Sequence, residues 1–271
     1  MGTKLKLLSS LFLFTAIISI SNIYAVEIDT STGEEEVVFM STDGEVNLGD
    51  SLSISVEKRF KLVKDEEVQK KVNDIGQKIA YICDRKDVVY HFRVIEDRGQ
   101  ERPTINAFSL PGGYVYIFKD LYDQFGSDEE LAAVIAHEVG HIVARHGVKR
   151  MQSAFGYNLL LILASQARTN GGNMGRAFEA VNSLMMSYSR DDEIFADKLS
   201  VKYTKNAGYN PEGAVKVLEK LWDIQKKEPQ HPYMEERSHP YLSVRLAKVK
   251  QEINGKMDFN DYINIPTDTR R

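Results

Sequence analysis

Leu131-Ala-Ala-Val-Ile-Ala-His-Glu-Val-Gly-His-Ile-Val-Ala144 reads as one helix, and its chemistry lies in His137-Glu138-Val139-Gly140-His141. Residues four apart on a helix lie one turn apart on the same face. His137 and His141 can therefore direct two imidazoles at one ion, as in a zinc site. Glu138 lies about 100° round from His137. From there its carboxylate can reach a water beside the metal without being a ligand, the geometry of a metal-assisted hydrolase. The flanks fit such a helix. Ser127-Asp-Glu-Glu130 has the form of a capping box, with Ser127 at the cap and Glu130 at the third position. Asp128, Glu129 and Glu130 suit the positive end of the helix dipole. Leu131, Val134, Ile135, Val139 and Ile142 supply apolar surface, so burial is expected. The plain alternative is a core helix whose histidines bond to backbone.

The 271 residues suffice for one large domain or two small ones. Hydrophobic content of 42% and charged content of 27% are those of a globular chain. A formal net charge of −4 and the lack of a long basic block argue against nucleic-acid binding. Residues 1–25 have the form of a secretory signal: Lys4 and Lys6, then an apolar run from Leu7 to Ile20, then small Ala25 at the expected cut. The competing expectation is an uncleaved anchor, since Leu7 to Val26 is just long enough to span a bilayer. Cys83 is the one cysteine, so no intramolecular disulfide can form, and it reads as an inert core residue.

Residues 26–44 are acidic and turn-rich and are expected as a mobile leader. A domain is expected over 45–253, with a loose tail over 254–271. Glu45 to Leu62 reads as a first helix. Val68, Val72, Ile75, Ile79 and Ile82 recur at helical spacing, which gives a core-packing helix over 65–84. Val88 to Ile95 reads as a strand, with His91 structural. Ile105 to Phe118 reads as a hairpin turned at Pro111-Gly112-Gly113. The fold class that follows is α+β, mostly helical, with a small antiparallel sheet before the motif helix. The edge of such a sheet, at Asn106, Ala107 and Phe108, can pair with an extended peptide and hold it over a metal; the other reading is a purely structural hairpin. Leu159 to Leu163 is too short to span a bilayer and fits a core helix or a surface patch. Gln166 to Gly175 reads as a loop. A long helix is expected from about Arg176 to Asn206, another from Pro211 to about Lys226, and a last one from Tyr241 to Ile253.

Catalytic zinc takes three protein ligands and leaves one position open. A third histidine six residues after His141 is excluded, because position 147 is Gly. His146, five beyond His141, is expected to face elsewhere. A carboxylate from a later helix remains, and Ser189-Arg-Asp-Asp-Glu-Ile-Phe-Ala-Asp197 supplies candidates. Glu193 and Asp197 share a face, which suits one ligand and one carboxylate that orients a ligand histidine. Small Ala196 beside them lets two helices approach. Chemistry alone does not rank Glu193 over Asp192, and a solvated acidic helix surface is the plain alternative.

The pattern H-E-x-x-H followed about fifty residues later by S-R-x-x-E-x-x-A-D resembles the zinc gluzincins of the CAAX-prenyl-protease and HtpX heat-shock protease family. Asn106-Ala-Phe-Ser-Leu-Pro-Gly-Gly113 resembles that family's N-A-F-x-x-P-G-G segment, and Ser238-His-Pro-Tyr-Leu-Ser-Val-Arg245 its S-H-P-x-x-x-x-R segment. The four motifs, in order, cover roughly residues 45–253. The resemblance implies one zinc per chain, Glu193 as third ligand, Asp197 behind the ligands, and Arg190 as an ion-pair partner holding that helix. It places His239 near the metal, either as a catalytic stabiliser of the oxyanion or as a residue that occupies the open position, with a merely packed loop histidine as the third reading. Arg245 is expected to anchor that loop or bind a substrate group. The exported layout resembles the soluble periplasmic BepA/LoiP-type branch; no C-terminal helical-repeat domain is expected, so the partner binding such repeats provide is not expected either, and without the membrane helices of the integral branches prenylated substrates are not expected. The implied activity is a zinc endopeptidase acting on misfolded or unassembled envelope polypeptides, with envelope assembly proteins as partners. An envelope chaperone with gated proteolysis is the rival. A structural zinc site is disfavoured, since such sites are closed and favour cysteine.

Overall fold

The computed structural model describes residues 25–28, 35–38, 40–97, 99, 103–156, 158, 160, 162, 174–186, 188–227 and 241–256. Strands β1 (Ala25–Ile28) and β2 (Glu35–Val38) form an antiparallel ribbon. Helix α1 (Thr42–Arg59) begins three residues earlier than the composition indicates, because the Ser41 side chain caps it by accepting from the Gly44 N–H. Val38 and Met40 are buried in the core, so the end of the stretch expected as a leader is packed structure. The chain leaves α1 early as well, and Lys61–Leu62 forms strand β3 rather than a last helical turn. Helix α2 (Glu66–Ile82) is capped by Asp65 and buries Val72, Ile75 and Ile79.

Strands β4 (His91–Glu96), β5 (Ala107–Leu110) and β6 (Tyr114–Phe118) complete a sheet of order β3-β4-β6-β5. The hairpin is antiparallel with Leu110 opposite Tyr114, as the sequence indicates. The sheet as a whole is mixed, which corrects the expectation of an antiparallel one: β4 and β6 run parallel, His91 opposite Tyr114. The cause is the connection. Residues after β4 carry the chain to the far edge, where β5 lies, and the hairpin returns β6 into the gap beside β4. Between β5 and β6, Pro111–Gly113 makes one 3-10 turn in which Gly112 has φ 78° and Gly113 φ 105°. A Cβ on Gly113 would stand 2.2 Å from the Val89 carbonyl oxygen, so only glycine fits there.

Side chains of the strands alternate between two apolar layers. Phe92, Val94, Val115 and Ile117 face α2 and the motif helix, whereas Tyr116, Phe118, Phe108 and Leu110 face α1. The motif helix, α4 (Asp128–Val143), follows a short helix α3 (Lys119–Tyr122). Ser127 caps α4 by accepting from the Glu130 N–H. Glu130 does not return the bond to Ser127; its carboxylate accepts from the Gly126 N–H at 3.0 Å and from Lys220. Every residue of α4 from Glu130 to Ile142 is buried.

Helix α5 (His146–Phe155) follows almost at once, and helix α6 (Met174–Leu184) packs against α1. Of the apolar stretch Leu159 to Leu163 only positions 160 and 162 are described: Leu160 is buried and Ile162 exposed. Most of the loop expected from Gln166 to Gly175 lies outside the described residues. The single long helix expected after it is two helices, α6 and α7 (Arg190–Asn206). Ser189 makes the break: its hydroxyl accepts from the Asp192 N–H, and the Asp192 carboxylate accepts from the Ser189 N–H, a reciprocal capping box. Helices α8 (Glu212–Lys227) and α9 (Leu242–Asn254) close the far side of α4 through Leu218, Val249 and Leu242. Among the described residues no helix is long and apolar enough to cross a membrane.

One buried charge cluster ties the start of the fold to the end of the motif helix. Glu45, 0% exposed, accepts from both terminal nitrogens of Arg85 at 2.8 and 2.9 Å and from Arg145 Nε at 2.9 Å. Arg85 also donates to the Ile142 carbonyl. Glu45→Ala would remove the buried carboxylate that both guanidinium groups share, leaving Asp87 as the acid beside Arg85, and breaking a buried pair costs about 3–5 kcal/mol. The urea midpoint should fall accordingly, with the two-state slope unchanged.

Candidate metal centre

His137 and His141 sit on adjacent turns of α4 with their Nε2 atoms 3.1 Å apart. Glu193, in the first turn of α7, brings one carboxylate oxygen 3.5 Å from His137 Nε2 and the other 3.6 Å from His141 Nε2. These three buried donors lie within 4.8 Å of one another. Tetrahedral zinc with bonds of about 2.0–2.1 Å needs donors about 3.3–3.4 Å apart, and the observed spacings bracket that value. The donor set, two imidazoles and one carboxylate, fits one metal ion. The helices that carry it approach closely because both are small at the crossing: a Cβ on Gly140 would stand 3.2 Å from Ala196 Cα. Ser200 Oγ adds a 2.8 Å bond to the Ala133 carbonyl across the same contact.

Asp192 and Glu193, which chemistry left unranked, are separated by geometry. Asp192 is engaged in the α7 cap, while Glu193 points at the imidazoles. Behind the donors, Asp197 Oδ1 lies 2.9 Å from His137 Nδ1. Arg245, from α9, clamps both carboxylates: Nε and Nη2 donate to Asp197 at 2.7 Å, and Nη1 lies 2.7 Å from Glu193 Oε2. Burial opposes the charge on Asp197, but the Arg245 guanidinium and His137 outweigh it and hold the carboxyl below the usual carboxylate range. Arg190 is exposed at the start of α7, its guanidinium 4.7 Å from the Tyr241 ring centroid. His239 lies outside the described residues, as does His231.

Glu138 is buried, 1% exposed, and lines a cleft together with His137. Leu121, Val134, Val217, Leu218 and Leu221 give that cleft an apolar wall. Asn106 and Ala107 line its rim, on the sheet edge formed by β5; Phe108 points instead into the core on the α1 side. The Asn106 side chain is buried, and neither its oxygen nor its nitrogen has a hydrogen-bond partner among the described residues.

Sequence reasoning missed two residues here. His146 is buried, and its Nδ1 lies 2.8 Å from His141 Nδ1. Tyr188 stacks on the His141 ring, centroids 4.2 Å apart. Its burial pushes the phenol far above its ordinary range. Only the break between α6 and α7 brings Tyr188 to this position, and nothing in the local sequence flags it.

A mostly helical zincin-like fold, with a small mixed sheet beside helices that bear a His-His-Glu metal centre, defines the class of this protein. The family model for Peptidase family M48 matches residues 64–253, and the chain belongs to that family. It is 24% identical over 241 residues to the "Beta-barrel assembly-enhancing protease" of Yersinia pestis, covering 84% of this chain and 47% of that protein. It is 27% identical over 180 residues to the "Mitochondrial metalloendopeptidase OMA1" of Schizosaccharomyces pombe, covering 66% and 51%. It is 28% identical over 158 residues to "Metalloprotease LoiP" of Escherichia coli, covering 55% and 59%. The chain spans about half the length of these relatives.

Proposed function

We propose that this chain is a zinc-dependent endopeptidase that cleaves misfolded or unassembled cell-envelope polypeptides. The observation that carries the reading is the convergence of His137, His141 and Glu193 within 4.8 Å beside a cleft lined by Glu138. Membership of a peptidase family and similarity to named proteases support it. Two imidazoles and a carboxylate suit zinc, which His137, His141 and Glu193 would hold; there it would polarise the scissile carbonyl and make water nucleophilic near neutral pH. Glu138 takes the proton of the attacking water and passes it to the leaving nitrogen. Asp197 fixes the orientation of His137, and Arg245 fixes Asp197 and Glu193. The Asn106 amide, without a partner among the described residues and lining the cleft, would serve an extended substrate backbone as donor and acceptor. The apolar wall beside it seats an apolar substrate side chain. His239 belongs to the same proposal as a loop histidine that either assists the reaction or blocks the open position. Residues 1–25 act as an export signal, which places the domain in the periplasm.

Elemental analysis should find one zinc per chain, and casein cleavage should stop on chelation and return with zinc. Folded protein that takes up no zinc would overturn the reading. A second reading, an assembly factor whose proteolysis is minor, draws on the similarity to the "Beta-barrel assembly-enhancing protease" of Yersinia pestis. Envelope function that survives Glu138→Gln would favour it.

A further inference from the structure

The two ligand helices are joined behind the metal centre by a second line of contacts, separate from Asp197 and Arg245. His141 has its Nε2 toward His137 and Glu193, so its Nδ1 faces away from them, 2.8 Å from Nδ1 of His146. The other nitrogen of His146, Nε2, lies 3.2 Å from Asp192 Oδ1. Asp192 Oδ2 is occupied by the Ser189 N–H at 3.2 Å and the Ser189 hydroxyl at 2.7 Å, so the carboxylate is fixed by the α7 cap. His146 itself is 4% exposed and stands against the rings of Tyr188 and Phe195.

We propose that His146, held by Asp192, is a positioning residue for His141: it fixes the tautomer and ring orientation that present His141 Nε2 to the metal. This rests on the reading of His141 as a ligand. The proton assignment follows from the chemistry of neutral imidazole, which has one N–H and one bare nitrogen. Nε2 of His141 must be bare to bind a metal, so its Nδ1 carries the hydrogen and donates to His146 Nδ1. That nitrogen must then be the acceptor, which leaves the hydrogen of His146 on Nε2, where the Asp192 carboxylate accepts it. Every donor in the line meets an acceptor, and the only anion is the capping carboxylate next to Glu193. His137 has a carboxylate directly behind it; His141 has one through a second imidazole. Such partners of ligand histidines are worth about 10–100-fold in metal affinity. The arrangement also makes one capping box serve two ends, since Asp192 starts the helix that delivers Glu193 and orients the ligand opposite.

The test is zinc affinity by competition with a fluorescent chelator at one fixed pH, together with melting of the metal-free proteins. His146→Phe fills the volume without a hydrogen bond and should raise the zinc Kd about 10–100-fold. His146→Gln offers an acceptor and a donor separated by one atom, as in imidazole, and should return the Kd to within about fivefold of wild type. Metal-free melting should match wild type for the Gln variant and fall modestly for the Phe variant, which leaves the buried His141 N–H without its acceptor. A Phe variant that binds zinc like wild type, or a Gln variant as weak as Phe, overturns the proposal. Should the Phe variant not fold, Asp192→Asn is decisive. Its amide NH2 would face the His146 N–H while its oxygen keeps the cap; about tenfold weaker zinc binding supports the proposal, and unchanged binding overturns it. In the zinc-loaded wild type, nitrogen NMR should show the proton on Nδ1 of His141 and on Nε2 of His146; the reverse pair sinks the assignment. A wild type without zinc defeats the metal reading itself and the proposal with it, whereas zinc-binding wild type with indifferent His146 variants defeats the proposal alone.

Discussion

Glu138→Gln should lower kcat for casein cleavage about 10²–10⁴-fold, the usual worth of a positioned general base, while zinc content and melting stay at or above wild type. The amide copies the shape of the carboxylate but carries an NH2 donor in place of one acceptor oxygen, and it cannot take a proton. Glu138 is 1% exposed, on the same helix as both histidines and one position from the first. Its replacement removes a buried charge without removing a metal donor, so the fold loses nothing. The split between intact metal and lost turnover separates a base from a ligand: a ligand variant would lose zinc first. A Glu138→Gln enzyme that cleaves casein at the wild-type rate would remove Glu138 from the mechanism. One that loses zinc along with activity would place its carboxylate on the metal.

Glu193→Ala should abolish zinc retention through dialysis. A closed four-ligand zinc site is worth about 10–16 kcal/mol, or about 3 kcal/mol per ligand, so one lost ligand raises Kd about a hundredfold or more. No neighbouring carboxylate is placed to substitute. Asp192 is held by the Ser189 cap and His146, and Asp197 by Arg245 and His137. The fold should survive, because Arg245 keeps Asp197 as a partner when Glu193 is gone. Circular dichroism of the metal-free variant checks that point. Zinc that remains stoichiometric in folded Glu193→Ala would move the third ligand to Asp192, Asp197 or His239.

Local rules reached far in this chain. The stripe Val72, Ile75, Ile79 and the caps at Asp65 and Ser127 specify α2 and α4, since each depends on residues within a turn or two. The turn at Pro111–Gly113 is legible for the same reason: positive φ and close approach require glycine, and two adjacent glycines announce it. The pairing of two histidines on one helix face is periodicity alone. The sheet was less legible, because parallel pairing of β4 with β6 depends on where an intervening strand is laid, which no strand's own residues encode. The single helix expected over 176–206 failed at Ser189 and Asp192, which satisfy each other's backbone and end one helix to begin another.

What the sequence by itself determined is the donor chemistry: an H-E-x-x-H helix, a later carboxylate, and the helices that carry them. What only the tertiary structure shows is how close Glu193 stands to the two imidazoles and what lies behind each of them. His146 shows the reason most clearly. Counted along a continuing helix, five residues place it about 140° from His141, and it reads as unrelated. The helix instead ends at Val143, and Arg145 takes the left-handed conformation, φ 56°, which turns the chain so that His146 comes back onto His141. A non-glycine residue holds that conformation at a cost. The Glu45 carboxylate, a hundred positions earlier, and the Met40 carbonyl bind the Arg145 guanidinium there. Helical periodicity looks four residues ahead; a turn stabilised by an ion pair across the fold can be seen only when the two ends of that pair have met.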